Sequence, residues 1–272
     1  MVGLQPVFQL KNKDFGPKVV GGQAVSLEKY PFAVQFFNYG SLCGGVILNS
    51  WSVLTSGHCF ESNQDTDEMR VQIGSKYIYD FSAKKHKISY FVVHENYNRK
   101  IPFENDIGIL FVKEQIKFSN VAKKGILVDH DKWMNPKEKR FIVTGWGMLE
   151  YNGALSDMSL MMTSLAFVPL KTCSRLHDVT LSADMFCLYG DGKRDTCKGD
   201  SGGGVLWKGR LVGLTSHGDG CAKEGKPSVY TNLYYQTGWI KKQVAKFIEW
   251  TCKNKNKGQS GAGNVVTLNF NT

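Results

Sequence analysis

The chain has 272 residues, with 34 Lys and Arg against 24 Asp and Glu (net charge +10), 42% hydrophobic residues and 29 glycines. That length can bury one large core or two fused lobes, and the glycine content suits a fold with many tight turns. No apolar run approaches the roughly 18–20 residues of a bilayer-spanning helix, and the basic residues are dispersed, with only small clusters at 84–87 and 137–140. A solvated basic surface is therefore favoured over a polyanion-binding patch.

In chain order, residues 1–10 carry Gln5, Pro6 and Gln9 and lack the basic start and long apolar stretch of an export signal. Residues 1–18 are short, contain Pro and Lys, and have no cysteine. Short apolar or alternating runs follow at 32–37, 45–48, 52–55, 70–73, 88–93 and 107–112. A second set lies at 141–144, 163–168, 185–188, 204–207, 210–215 and 228–232. Gly, Asn, Asp and Ser turns separate these runs, which predicts an all-β protein. Segment 113–140 divides the two sets. Trp239, Ile240, Val244, Phe247 and Ile248 share one helical face and predict a C-terminal helix, expected to dock on the second set of strands. Residues 251–272, rich in Asn, Gly and Lys, are expected to be a disordered tail.

The chemistry concentrates in three frames. Asp195-Thr196-Cys197-Lys198-Gly199-Asp200-Ser201-Gly202-Gly203 sets a serine among glycines, an arrangement that exposes a hydroxyl beside free backbone N–H groups. Leu54-Thr55-Ser56-Gly57-His58-Cys59 offers an imidazole that can take a proton near neutral pH. Asn105-Asp106-Ile107-Gly108-Ile109-Leu110 offers a carboxylate among apolar neighbours, able to hold that imidazole in one tautomer. Together they point to acyl transfer with Ser201 as nucleophile, His58 as base and Asp106 as the orienting group.

On these frames residues 19–250 resemble a trypsin-like serine endopeptidase of the chymotrypsin family. The resemblance implies two packed six-stranded antiparallel β-barrels with a C-terminal α-helix, crossing over near 113–140. It implies an oxyanion hole made by the N–H groups of Gly199 and Ser201. Lys18-Val19-Val20-Gly21-Gly22 resembles the family's activation junction, so residues 1–18 would be a propeptide, and cleavage after Lys18 would free the Val19 amine to pair with Asp200. The frames of six of the seven cysteines imply the bridges Cys43–Cys59, Cys173–Cys187 and Cys197–Cys221, leaving Cys252 over. Three bridges imply an oxidising, extracellular setting and hence secretion.

Asp195 resembles the pocket-floor carboxylate that selects Lys or Arg side chains, and Ser216 and Gly218 the strand that pairs with substrate. Two positions depart from the family's pattern. His217 stands where tryptophan is usual, either as a source of pH sensitivity or as a tolerated polar replacement. Ser228 stands where trypsin-like pockets carry glycine, and is expected to narrow the pocket or contact the bound cation. No cofactor or metal is expected; segment 74–87 offers Asp80 among several lysines, too few oxygens for calcium. His86, His94, His130 and His177 are read as structural.

The expected partners are polypeptide substrates and protein protease inhibitors, with no nucleic acid or membrane, and a monomer is expected. Two other readings stand beside the leading one. The chain could be a catalytically silent homologue acting as a binding or cofactor protein, or an active protease preferring small or apolar side chains because Ser228 blocks long ones.

Overall fold

The computed structural model describes residues 20–157 and 159–255, so Lys18 and Val19 of the expected activation junction lie outside the described residues. Thirteen strands and two α-helices follow in order: β1 Gln23–Val25, β2 Ala33–Asn38, β3 Ser41–Asn49, β4 Ser52–Thr55, β5 Met69–Gln72, β6 Lys85–Val93, β7 Gly108–Val112, β8 Phe141–Gly145, β9 Leu160–Val168, α1 Leu170–His177, β10 Met185–Tyr189, β11 Gly204–Trp207, β12 Arg210–His217, β13 Ser228–Asn232 and α2 Thr237–Lys255.

Strands β2–β7 close an antiparallel barrel in the order β2-β3-β4-β7-β6-β5, sealed by β2–β5 pairing. The second six-stranded barrel runs β9-β10-β13-β12-β11-β8 and is sealed by β8–β9. Strand β1 adds to the first residues of β9, with Gln23 opposite Met162 and Val25 opposite Leu160. The N-terminal segment is thereby tied to the second barrel before the chain enters the first.

Two-residue periodicity sorts side chains between interiors and the seam. On β7, Leu110 and Val112 fill the first barrel with Phe36, Val53 and Val71, while Ile109 and Phe111 face a larger cluster between the barrels. That cluster includes Val46 from one barrel and Leu206, Leu211 and Leu214 from the other. The second barrel is filled by Trp133, Phe141, Phe186, Trp207 and Tyr230 among others. Both faces of most strands are buried, so many runs read as continuously apolar.

Helix α2 departs from expectation in its docking. Its stripe packs on the first barrel: Phe247 stacks on Phe111 with centroids 4.1 Å apart, and Trp239 lies 5.1 Å from the His94 ring. Trp239 Nε1 also donates to Glu95 Oε2 at 2.7 Å. The cause is the apolar outer edge of β7, which needs a cover. Ile240, Val244 and Phe247 turn toward this cluster, whereas Ile248 is exposed. The helix also runs to Lys255, past the expected start of the tail; residues 256–272 lie outside the described residues.

Two elements were not foreseen. Strand β1 has three residues, and α1 has eight and buries only Cys173, so each is too short for its apolar period to stand out. Pro169 opens α1, where a missing N–H costs nothing, and Asp178 closes it in the left-handed region. Disulfides join Cys43 to Cys59, Cys173 to Cys187 and Cys197 to Cys221, and Cys252 is free and exposed.

Candidate active site

The cleft between the barrels assembles the three sequence frames. His58 sits on a 3₁₀ turn, Gly57–Phe60, directly after β4. Asp106 lies two residues before β7, and Ser201 three residues before β11. Hydrogen bonds stitch the barrels together here: Gly44 N donates to the Ser201 carbonyl at 2.7 Å, and Ser56 Oγ to the Thr215 carbonyl at 2.7 Å. Gly202 must be glycine on two counts, because its φ is +79° and a Cβ would fall 2.3 Å from Thr55 Oγ1.

Asp106 is fully buried yet well supplied with donors. His58 gives it Nδ1–H and the backbone N–H, each at 2.8 Å, and Ser216 gives Oγ–H at 2.5 Å. Burial pushes its pKa up, but the imidazole's charge and these hydrogen bonds outweigh burial and hold it below the usual carboxylate range. Burial likewise pulls His58 down, and the charge and hydrogen bond of Asp106 more than reverse that, leaving His58 above its ordinary value. The imidazole is thus oriented, with one nitrogen committed to Asp106, and its side chain retains 19% exposure. A His58 ring nitrogen lies within 4.8 Å of the Cys59 sulfur, which is itself 4.0 Å from the Ser201 carbonyl, so His58 and Ser201 share a neighbourhood.

Among the described residues, neither the Gly199 nor the Ser201 amide finds an acceptor within the protein. Asp200, between them, is buried and accepts from Gly147 N at 2.7 Å and Cys197 N at 2.9 Å. Burial prevails over these amides and pushes its carboxyl up to about 6. The chain just after the expected cleavage point lies alongside: the Val20 carbonyl accepts from Asp195 N at 3.2 Å.

A pocket of about 220 Å³ opens beside Ser201, lined by Thr196, Cys197, Ser216, Gly218, Cys221 and Ser228 among others. Asp195 lies behind this lining, only 4% exposed. Its oxygens accept from Thr196 N at 2.8 Å and Ala222 N at 2.9 Å, and from the Ser228 hydroxyl. Desolvation still pushes it up to about 6. Neighbouring Arg194 pairs with Asp191 at 2.9 Å and leaves Asp195 alone. At Gly218 a Cβ would stand 3.0 Å from Ser228 Oγ, so a side chain here would crowd the pocket.

His217 is half-buried and stacks on Phe103, centroids 4.3 Å apart at 16°; Phe103 in turn meets His58 edge-on at 5.9 Å. Phe103 escaped the sequence reading. It sits three residues before Asp106 with φ +60°, and that closeness to Asp106 was the available signal. The remaining histidines serve packing: His177 Nε2 bonds to the Pro227 carbonyl at 2.7 Å, and His86 Nδ1 to the Glu114 carbonyl at 3.2 Å. In segment 74–87, Asp80 accepts from Ser75 Oγ, from Ser82 Oγ and N, and from Ala83 N, which hold its carboxyl down to about 2. Among the described residues, the one cluster of metal-ligand types, Cys43, His58 and Cys59, has both sulfurs tied in a disulfide.

Residues 19–240 match the family model described as Trypsin. The chain is 31% identical over 230 residues to trypsin epsilon of Drosophila erecta, covering 83% of this chain and 87% of that protein. It is 28% identical to a trypsin of Phaedon cochleariae over 84% of this chain and 88% of the relative. Against trypsin V-B of Rattus norvegicus it is 27% identical over 90% and 96%. With both barrels, the cleft and these matches in agreement, the chain belongs to the trypsin family and is a trypsin-like serine endopeptidase of the chymotrypsin fold.

Proposed function

We propose that the protein is a secreted endopeptidase, made as a zymogen, that hydrolyses peptide bonds after Lys or Arg through Ser201, His58 and Asp106. The observation that carries the reading is the Asp106 cluster, a fully buried carboxylate holding His58 through two hydrogen bonds, with the sulfur of adjacent Cys59 4.0 Å from the Ser201 carbonyl. In this scheme His58 removes the Ser201 proton as Oγ attacks the substrate carbonyl carbon. The resulting oxyanion faces the Gly199 and Ser201 amides, each such donor lowering the barrier by roughly 3–4 kcal/mol. His58 then protonates the leaving amine as the C–N bond breaks. Water repeats the sequence on the acyl-enzyme, restoring Ser201 and releasing the acid.

Two carboxylates assign the rest. Asp195 behind the pocket is neutralised by a substrate cation, which favours Lys and Arg. Asp200 is neutralised by the Val19 amine once Lys18 is cut, and the nearness of Val20 to Asp195 supports that route. Residues 1–18 are then the propeptide. Among the described residues no helix is long and apolar enough to cross a membrane, and three disulfides fit an extracellular setting.

The test is hydrolysis of matched peptides ending in Arg, Lys, Phe or Ala, before and after controlled cleavage at Lys18. Activity on Arg or Lys that arises only after cleavage is expected. Cleavage of Ala or Phe peptides alone would favour the reading in which Ser228 blocks long side chains. No activity after verified exposure of Val19 would favour a binding homologue.

A further inference from the structure

The hydroxyl of Ser216 makes two hydrogen bonds, to Asp106 Oδ2 at 2.5 Å and to His217 Nδ1 at 3.0 Å. A serine has one proton to give, and an ionised carboxylate can only accept. The Ser216 proton therefore belongs to Asp106, and the bond to His217 requires the ring to carry its proton on Nδ1. The direction of the whole chain follows: His217 Nδ1–H donates to Ser216 Oγ, Ser216 Oγ–H donates to Asp106, and Asp106 accepts His58 Nδ1–H on the same oxygen. Stacking on Phe103 fixes the plane of the His217 ring, so its donor is aimed and not merely near.

We infer that His217 is a positioning residue for the reaction, donating from Nδ1 so that the Ser216 hydroxyl stays committed to Asp106. This rests on the triad reading above. Successive bonds of one direction polarise each other and strengthen the last link. Losing the first donor leaves Ser216 freer to rotate, concentrates the Asp106 charge on His58, and raises the affinity of His58 for its proton. The charged and titratable groups facing His217 are Asp106 and His58 across the cleft, His177 at the end of α1, and Asp219, Lys226 and Lys100 around the adjoining groove. Burial keeps His217 neutral until about pH 4, so the neutral tautomer is the working form.

Two substitutions separate donation from packing. His217→Phe keeps an aromatic ring over Phe103 and removes the donor; His217→Asn removes the ring and keeps an N–H near the Nδ1 position. For His217→Phe we expect kcat about three- to tenfold lower, as befits one net hydrogen bond, KM for a short peptide little changed, and an acid limb of kcat/KM displaced to higher pH. His217→Asn should stay near wild type in both. Unchanged kinetics in His217→Phe, or equal impairment in both variants, would overturn the inference. If the cleaved protein hydrolyses nothing, the functional reading fails separately, and ¹⁵N NMR of wild type still decides this one. A protonated Nδ1 on His217 upholds it, and a bare Nδ1 overturns it even if neither variant folds.

Discussion

Asp106 and the pair Asp195 and Asp200 are all buried carboxylates, yet their surroundings push them in opposite directions. Asp106, contributed by the first barrel, has an imidazole and a hydroxyl as donors besides a backbone amide, and stays below the usual carboxylate range. Asp195 and Asp200, on one loop of the second barrel, have no imidazole beside them; Asp200 accepts from two backbone amides and Asp195 from two amides and the Ser228 hydroxyl, and desolvation pushes both up to about 6. Burial alone therefore does not define a functional carboxylate. Asp106 already has a titratable partner inside the fold, His58. The other two lack a cation among the described residues; in the proposed function the substrate supplies one to Asp195 and the Val19 amine one to Asp200.

Asp106→Asn would turn an N–H toward the donors of His58 and invert the imidazole tautomer. We expect kcat to fall by about 10⁴-fold with substrate affinity nearly intact; a loss under tenfold would remove Asp106 from the mechanism. Asp200→Asn should lower the activity of the cleaved enzyme by about 10²–10³-fold, the scale of leaving one buried charge unpaired. The uncleaved chain should be unaffected, and equal effects on both forms would deny the amine its role.

The pH response sharpens the contrast. His58 must be neutral to accept a proton, so kcat/KM should fall with decreasing pH through a value above that of free imidazole. Affinity for a small amidinium ligand should weaken as pH drops through about 6, where the empty Asp195 takes up its proton. The stability sign is opposite for the two regions. Asp195 and Asp200, raised when folded, favour the fold below the unfolded carboxylate value, and that contribution is lost as pH rises through about 6. Asp106, depressed when folded, contributes stability above the unfolded value that is lost in stronger acid. Smallest is Ser228→Gly, expected to raise the Arg-over-Lys rate ratio a few-fold by removing a hydroxyl that stands between the pocket and Asp195. An unchanged ratio would assign Ser228 no part in selectivity.

Much of the architecture was readable because every barrel strand carries an apolar run between turn residues; segments 52–55, 204–207 and 228–232 coincide with β4, β11 and β13. Segment 113–140 likewise spans the gap between β7 and β8. Strand β1 and helix α1 were silent because one is three residues long and the other buries a single cysteine. The docking of α2 depended on which surface most needed a cover, and sequence adjacency pointed to the wrong barrel. At the site, the residue frames singled out His58, Asp106 and Ser201, and the fold hydrogen-bonds His58 to Asp106, but the contacts of Phe103 and the His217–Ser216 bond exist only once the chain is folded. Such contacts between distant segments leave no period or spacing to read.

The most direct test of the central claim follows the Asp200 carboxyl by ¹³C NMR through mildly acidic pH, before and after cleavage at Lys18. A midpoint near about 6 is expected while Asp200 lacks a cation, dropping well below that when the Val19 amine is released and hydrolysis after Arg or Lys begins. A midpoint that stays put after verified cleavage, with full activity, would contradict it.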